Sequence, residues 1–518
     1  MLTLHRIALA ATVLTCPAAA QMAGVYTVNP AWPALPTNFP SLAAAVQSLA
    51  TNGVIAPVIL EVYDDAGPYN EAAPFVTANV QWAPSTAVLT LGQWTGVSST
   101  NRVTFRPAAG EAPVLDATGR AMGVFWGGAD FVTLEGFEIK NAPFDAITLY
   151  SESTHGVATE AIINRCRIHD CGGGGVVVYG NSSFPLNTII SNCFFWRLQT
   201  TNAGGFNTTA RFGYITTRRS TNTRILHNTF LVDAGVGSSF CAIGAYPSGT
   251  TEIPFGEVSN NVFLKTAGFG RPFFHIQSPT GATVLVPAIC DSNCYHDLTA
   301  SSFAHYGPTA TTVALTLLDW QLGALRDLAS LAADPLLLDI ASHDFHLGVL
   351  SPCIGASTLA TGIAEDVDGQ PRLVSLDIGA DEYSAATIGS VGAGCPGTGS
   401  VVPVLSSIEW PFLGNQRFAM IASQMPPNQA MLVFASFGTT TSPFPIGFGC
   451  NVWLQLAFLT GLPVVPVAGS AGTASVVIPW PANPAYIGTN FAFQSLVIDS
   501  GAPLGATVTN ALDIVLGF

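Results

Sequence analysis

Of the 17 lysines and arginines in this 518-residue chain, nine fall between residues 165 and 271. They are Arg165, Arg167, Arg197, Arg211, Arg218, Arg219, Arg224, Lys265 and Arg271, and the same interval holds only Asp170, Asp233, Glu252 and Glu257 as acids. A locally cationic stretch thus sits inside a chain of net charge −15. Guanidinium forks match the oxygens of a carboxylate or sulfate, and clustered cations concentrate anionic partners. With His169 and His227 beside them, Arg165, Arg167, Arg197, Arg224 and Lys265 form a candidate binding set for an acidic glycan. Were the set catalytic, β-elimination would suit it: a cation neutralises the uronate carboxylate while Arg, Lys or His takes the proton. The competing reading pairs each cation with a neighbouring acid, as surface charges ordinarily do. The spacing sets Asp170 beside Arg197 and Lys265 beside Asp297.

Acid chemistry is less well provided. Hydrolysis of a glycosidic bond needs two carboxyl groups flanking it. No convincing pair is visible, and the adjacent Asp64-Asp65 reads as a turn. Whether the chain is an enzyme stays open; a polysaccharide lyase is favoured over a glycoside hydrolase. Asp366-Val-Asp368-Gly369 resembles a fragment of a calcium loop, with hard oxygen ligands at alternating positions before a glycine turn. Asp366 and Asp368 are therefore the candidate Ca²⁺ ligands and Ca²⁺ the one candidate cofactor, unless Arg372 neutralises them instead. His343 and His346 lack companion ligands for zinc. Trp410, Trp453 and Trp480 offer faces for sugar stacking, although core packing explains them more simply.

The elements that must position these groups are repeats. Leu134–Ile139, Ile163–Ile168, Ile190–Phe195, Ile225–Phe230, Val258–Phe263 and Cys290–Tyr295 all fit apolar-x-x-[N/C/F]-x-[I/F/Y]. Units so short, β-rich and punctuated by Gly and Asn predict a coil of parallel strands stacked about 4.8 Å apart, with the apolar ends facing the axis. Phe137, Cys166, Cys193, Asn228, Asn261 and Asn293 form one column at a tight turn, where Asn tolerates left-handed dihedrals and can bond from rung to rung. Arg165 and His227 stand one residue before that column. Cys166 and Cys193, on neighbouring rungs, are placed for a disulfide or for a stack of reduced thiols.

These repeats resemble right-handed parallel β-helix proteins, the architecture also used by pectate lyases and many bacterial surface proteins. The resemblance extends over about residues 24–384. Residues 38–50 read as an amphipathic capping helix, and Gly67-Pro-Tyr-Asn-Glu71 is similar to the turn that opens many β-helices. Arg102–Pro107 looks like an early rung. Ala333-Asp-Pro335, His343–Leu347, Leu350–Gly355, Asp366–Arg372 and Asp377–Glu382 are similar to the closing segment of secreted bacterial β-helix proteins with a choice-of-anchor-type ending. Cys353 stands where a small residue is usual in that group. The resemblance is specific for fold and implies no particular activity.

The expected organisation is all-β: a leader over residues 1–20, the β-helix over 21–384, a linker over 385–400 and a β-sandwich over 401–518 with Cys395 at its edge. Arg6, the apolar run 7–14 and Ala18-Ala19-Ala20 read as a secretory signal peptide. That implies export, to the medium or the cell surface, with no transmembrane segment left after cleavage. Export makes disulfides possible, and Cys395 and Cys450, alone in the second domain, are expected to bridge. Nine cysteines remain after Cys16, so at least one has no partner within the chain. Hydrophobic residues are 49% and charged residues only 9%, far below the usual quarter. Such a chain has material for a large core and no general affinity for nucleic acid. The expected protein is an exported monomer that binds an acidic polysaccharide or cell-envelope component without catalysis, or builds the surface itself.

Overall fold

The computed structural model describes residues 21–71, 87–153, 156–200, 213–233, 241–246, 254–266, 272–278, 285–299, 301–372, 376–383, 386–462, 465–481, 483–486 and 488–517. The expected leader with Cys16, and Arg211, Glu252 and Arg271 of the cationic stretch, lie outside them. Three long parallel sheets wind into a β-helix. Sheet A runs from Met22–Val28 through Val54–Val62, Val103–Pro107 and Ile163's strand to Ile289–Asp291. Sheet B runs from Val114–Asp116 to Leu331–Ala332, and sheet C from Ala87–Leu91 to Ala304–Pro308, where an antiparallel strand ends the stack.

Each repeat motif is the end of a sheet A strand, a sharp turn and the start of a sheet B strand. Its terminal apolar residues stack along the axis: Phe195 on Phe230 at 4.8 Å, Phe230 on Phe263 at 4.9 Å, Phe263 on Tyr295 at 5.1 Å. The turn is displaced by one residue from the expectation. The left-handed position belongs to Gly136, Arg165, Asn192, His227, Asn260 and Ser292, all with φ between 50° and 73°. The column after it turns inward and forms a ladder. Asn228 Oδ1 accepts from the Cys193 amide, Asn261 Oδ1 from the Asn228 amide and Asn293 Oδ1 from the Asn261 amide, at 2.9–3.0 Å. Each amide group is buried, so each bond also spares a desolvated backbone donor. Cys166 and Cys193 continue the ladder as free thiols, the Cys166 amide donating to the Cys193 sulfur.

The helix Leu42–Asn52 covers the first coil. Its buried Leu42, Ala45, Val46 and Leu49 close the core. Glu71 caps it by accepting from the amides of Leu42 and Ala43, which adds a negative charge where the helix dipole favours one.

After the last rung the chain does not stop at the open end. Residues 357–368 run back along the A/B turn edge as a strap. Thr358 meets Ser292, Leu359 meets Asn260, Thr361 meets His227, Glu365 meets Asn192 and Val367 meets Arg165, one rung per step. Phe345, Val367 and Ala380 cover Phe194, Trp196, Leu231 and Leu264 on the outer face of sheet B.

The second lobe is antiparallel, with five-, three- and two-stranded sheets around Phe418, Met420, Met431, Trp480 and Phe493. The stretch expected as a linker is part of it: Thr387–Val391 pairs with Ala506–Val515 as an edge strand. Its lack of charge reflects this sheet position rather than flexibility. Cys395 and Cys450 are disulfide-bonded; seven further cysteines are buried thiols. Among the described residues no helix is long and apolar enough to cross a membrane.

Candidate functional site

The seven candidate residues divide between two places, and in both the cations meet acids of the chain itself. On the turn edge, Arg165 is 5% exposed beneath the strap. Its guanidinium faces Glu135 at 3.3 Å, Glu409 of the second lobe at 3.5 Å and Glu365 at 3.9 Å. Arg417 joins the same cluster through Glu409 and Glu135. Gly369 lies directly over the guanidinium at φ 84°, where a Cβ would come within 2.9 Å of it. His227 is buried, and that burial holds its imidazole neutral, well below its ordinary pKa. Its Nε2 accepts from the Asn260 amide group. Arg224, on the outside of sheet A, pairs with Glu257 at 2.7 Å.

The rest lie on sheet B. Arg167 is the loosest, 3.9 Å from Asp368 and over the Phe194 ring. His169 stacks on Trp196 at 4.0 Å and bonds Asp170 and Glu138; the histidine contact and Lys140 hold Glu138 down at about 2. Arg197 pairs with Asp170 at 3.0 Å and Lys265 with Asp297 at 2.9 Å, the two pairs the repeat register implied. The seven residues therefore do not converge on one groove.

Asp366 and Asp368 turn to different hydrogen-bond partners. The buried Asp366 carboxylate accepts from the amides of Asp368, Gln370 and Glu382, while Asp368 faces His346. Arg372 pairs with Glu382. Trp480 lies in the core of the second lobe, Trp453 packs beneath Gly392, and Trp410 turns toward His346.

A cavity with different chemistry lies where the first rungs meet the second lobe. The strands Met22–Val28, Val54–Val62 and Val103–Pro107 are in register, Val28 opposite Val62 and Val62 opposite Pro107. The residues that follow each strand consequently stack at one spot: Trp32, then Tyr63-Asp64-Asp65, then Gly110-Glu111. With Ile421, Val467, Thr473 and Ser475 of the second lobe they line a cavity of about 370 Å³. Gly110 permits the approach, since a Cβ there would sit 2.7 Å from that of Ala419.

Trp32 and Tyr63 place their rings 4.9 Å apart, and Trp32 is 43% exposed. Burial, then a hydrogen bond to Asp64, then the charges of Asp64 and Asp65 push the Glu111 carboxyl up to about 9, so it is protonated at neutral pH. The Asp64 amide donates to Glu111, and Asn29 donates to Asp65 at 2.7 Å. None of these three carboxyls takes part in an ion pair among the described residues. Two aromatic faces beside a protonated acid and two further carboxyls can stack on a ring and exchange hydrogen bonds with its hydroxyls. Glu111 and Trp32 were not singled out in the sequence. In the sequence Asp64-Asp65 reads as a turn; the signal it carries is a position directly after a sheet A strand.

No family model and no curated protein matches the chain. Among solved structures, a pectate lyase aligns at 11% identity and a TM-score of 0.36, over 71% of this chain and 98% of its own. A tailspike protein from Acinetobacter baumannii bacteriophage Fri1, a capsular polysaccharide depolymerase, aligns at 12% identity and a TM-score of 0.21, over 89% and 78%. Likeness at these scores says nothing of chemistry; the three parallel sheets themselves establish the β-helix.

Proposed function

We propose that the protein is an exported, non-catalytic polysaccharide-binding β-helix that holds a neutral glycan in the cavity between its first rungs and its second lobe. The observation that carries this is the exposed Trp32 beside Tyr63 over Asp64, Asp65 and Glu111. Aromatic faces supply sugar stacking and carboxyls bind hydroxyls, whereas an anionic glycan would be repelled there. A lyase site needs a cation for the uronate carboxylate, and among the described residues no Arg or Lys lines this cavity. A hydrolase needs its carboxyls about 5–9.5 Å apart, whereas Glu111 and Asp64 are hydrogen-bonded to each other. The Cys395–Cys450 disulfide accords with an oxidising compartment.

The test is calorimetric titration of the chain from Gln21 with neutral and acidic polysaccharides, alongside assays for new reducing ends and unsaturated products. Binding of a neutral glycan, weakened about tenfold or more in Trp32→Ala, is expected; aromatic stacking contributes on this scale. Preference for acidic polymers, or wild-type binding by Trp32→Ala, would overturn the site. Product formation would overturn the non-catalytic reading and leave lyase or hydrolase according to the product.

A further inference from the structure

A second cavity, of about 320 Å³, lies on the far side of the strap, where residues 386–388 and Trp410 approach sheet B's covering segment. His346, Asp368 and Asp381 present one ligand atom each within 4.8 Å of one another. Gln370 lines the same cavity with His346 and Asp381. It is 3% exposed, and its Oε1 has no hydrogen-bond partner among the described residues. A buried amide oxygen without a donor is costly, and Gln370 shares this cavity lining with His346 and Asp381.

The imidazole is already oriented. His346 Nδ1–H donates to Asp344 at 2.5 Å, which turns Nε2 toward Asp368 at 2.7 Å. A carboxylate behind the ring and a ligand nitrogen in front is the arrangement that metal-bound histidines use. Asp381 is fixed by the Leu347 amide, which donates to one of its oxygens at 2.7 Å.

From this geometry we propose that His346, Asp368 and Asp381, with Gln370 Oε1, bind a divalent first-row transition cation such as Zn²⁺ or Mn²⁺, with Asp344 positioning the histidine. One nitrogen and three oxygens suit such ions better than Ca²⁺, which takes six to eight oxygens. On binding, the Nε2 proton leaves to solvent and the nitrogen lone pair takes the cation; nothing is oxidised or reduced. The open side of the site faces the cavity beneath Trp410, leaving room for water or an oxygen ligand.

The experiment strips the intact chain with chelator and titrates it with ZnCl₂ and MnCl₂ by calorimetry. Co²⁺ serves as the optical probe, because its absorption bands report a bound nitrogen ligand. One equivalent is expected, abolished in Asp381→Asn and weakened about tenfold or more in Asp344→Asn. Circular dichroism checks that each variant folds. Should Asp381→Asn fail to fold, Gln370→Leu replaces it and is expected to weaken binding. Absence of binding, unchanged binding in folded Asp381→Asn or Gln370→Leu, or Ca²⁺ competing at equal concentration would overturn the proposal.

Discussion

One edge of the solenoid carries charge of both signs, and its two stretches are treated oppositely. From Glu135 to Ser292 the edge carries Arg165 and Arg224, and each meets an acid of the solenoid, Glu135 or Glu257, together with Glu409 of the second lobe or the Thr361 carbonyl of the strap. At the first three rungs the edge is acidic, and Asp64, Asp65 and Glu111 face a cavity lined by no cation among the described residues. Opposite charges brought together inside a chain are structural. Charges left facing space without a counter-ion are the ones available to a ligand. Abundance in sequence pointed to the first stretch; pairing in three dimensions points to the second.

The sharpest way to break this contrast is at Arg165. Arg165→Met would leave Glu135 and Glu409 with one guanidinium between them instead of two, under a strap that excludes water. Removing one partner of such a buried set costs about 3–5 kcal/mol. Chemical denaturation is expected to show that loss, and limited proteolysis to show cleavage within residues 357–372. A change under about 1 kcal/mol would mean that the cluster is solvated. The cationic edge would then again be a candidate glycan surface.

The register made part of this legible beforehand. The Asp170–Arg197 and Lys265–Asp297 pairs followed from repeat spacing, because side chains at equal offsets on adjacent parallel strands lie side by side. The asparagine ladder followed for the same reason. Its left-handed turn was read one residue late, since Asn at the inward position imitates the composition of a turn. The strap was not legible: Arg165 meets Val367 across 202 residues, and no periodicity links them. Glu111 was invisible likewise. It reaches Asp64 across 47 residues, in a turn outside the repeat motif. The closing segment near His346 could be placed as an ending, but not its path back along the solenoid, which brings Asp368 and Asp381 to that histidine.

The acidic stretch gives a pH signature of its own. Burial holds the folded Glu111 at about 9, above its ordinary 4.5. Between those values the folded chain keeps a proton that the unfolded chain has released, so stability falls as pH rises through that window. Glu111→Gln keeps the hydrogen bond and removes the titration. Its melting temperature is expected to match wild type near pH 5 and to exceed it by about 2 °C or more near pH 8. A difference independent of pH would mean that Glu111 is charged in the folded protein, and the cavity would then be uniformly anionic.

The smallest effect is expected at the most exposed of the paired cations. Arg197 is 52% exposed and holds Asp170 at 3.0 Å. An exposed pair of this kind contributes under about 1 kcal/mol, so Arg197→Ala should melt within a few degrees of wild type. Its side chain lies on sheet B, whereas the Trp32 cavity follows the first strands of sheet A, so glycan binding should also be unchanged. Because Arg197 costs the fold so little, it isolates the question that Arg165 cannot. A folded Arg197→Ala that loses an acidic polysaccharide would show ligand competing with Asp170 for the guanidinium. Pairing within the chain would then no longer separate structural charge from functional charge.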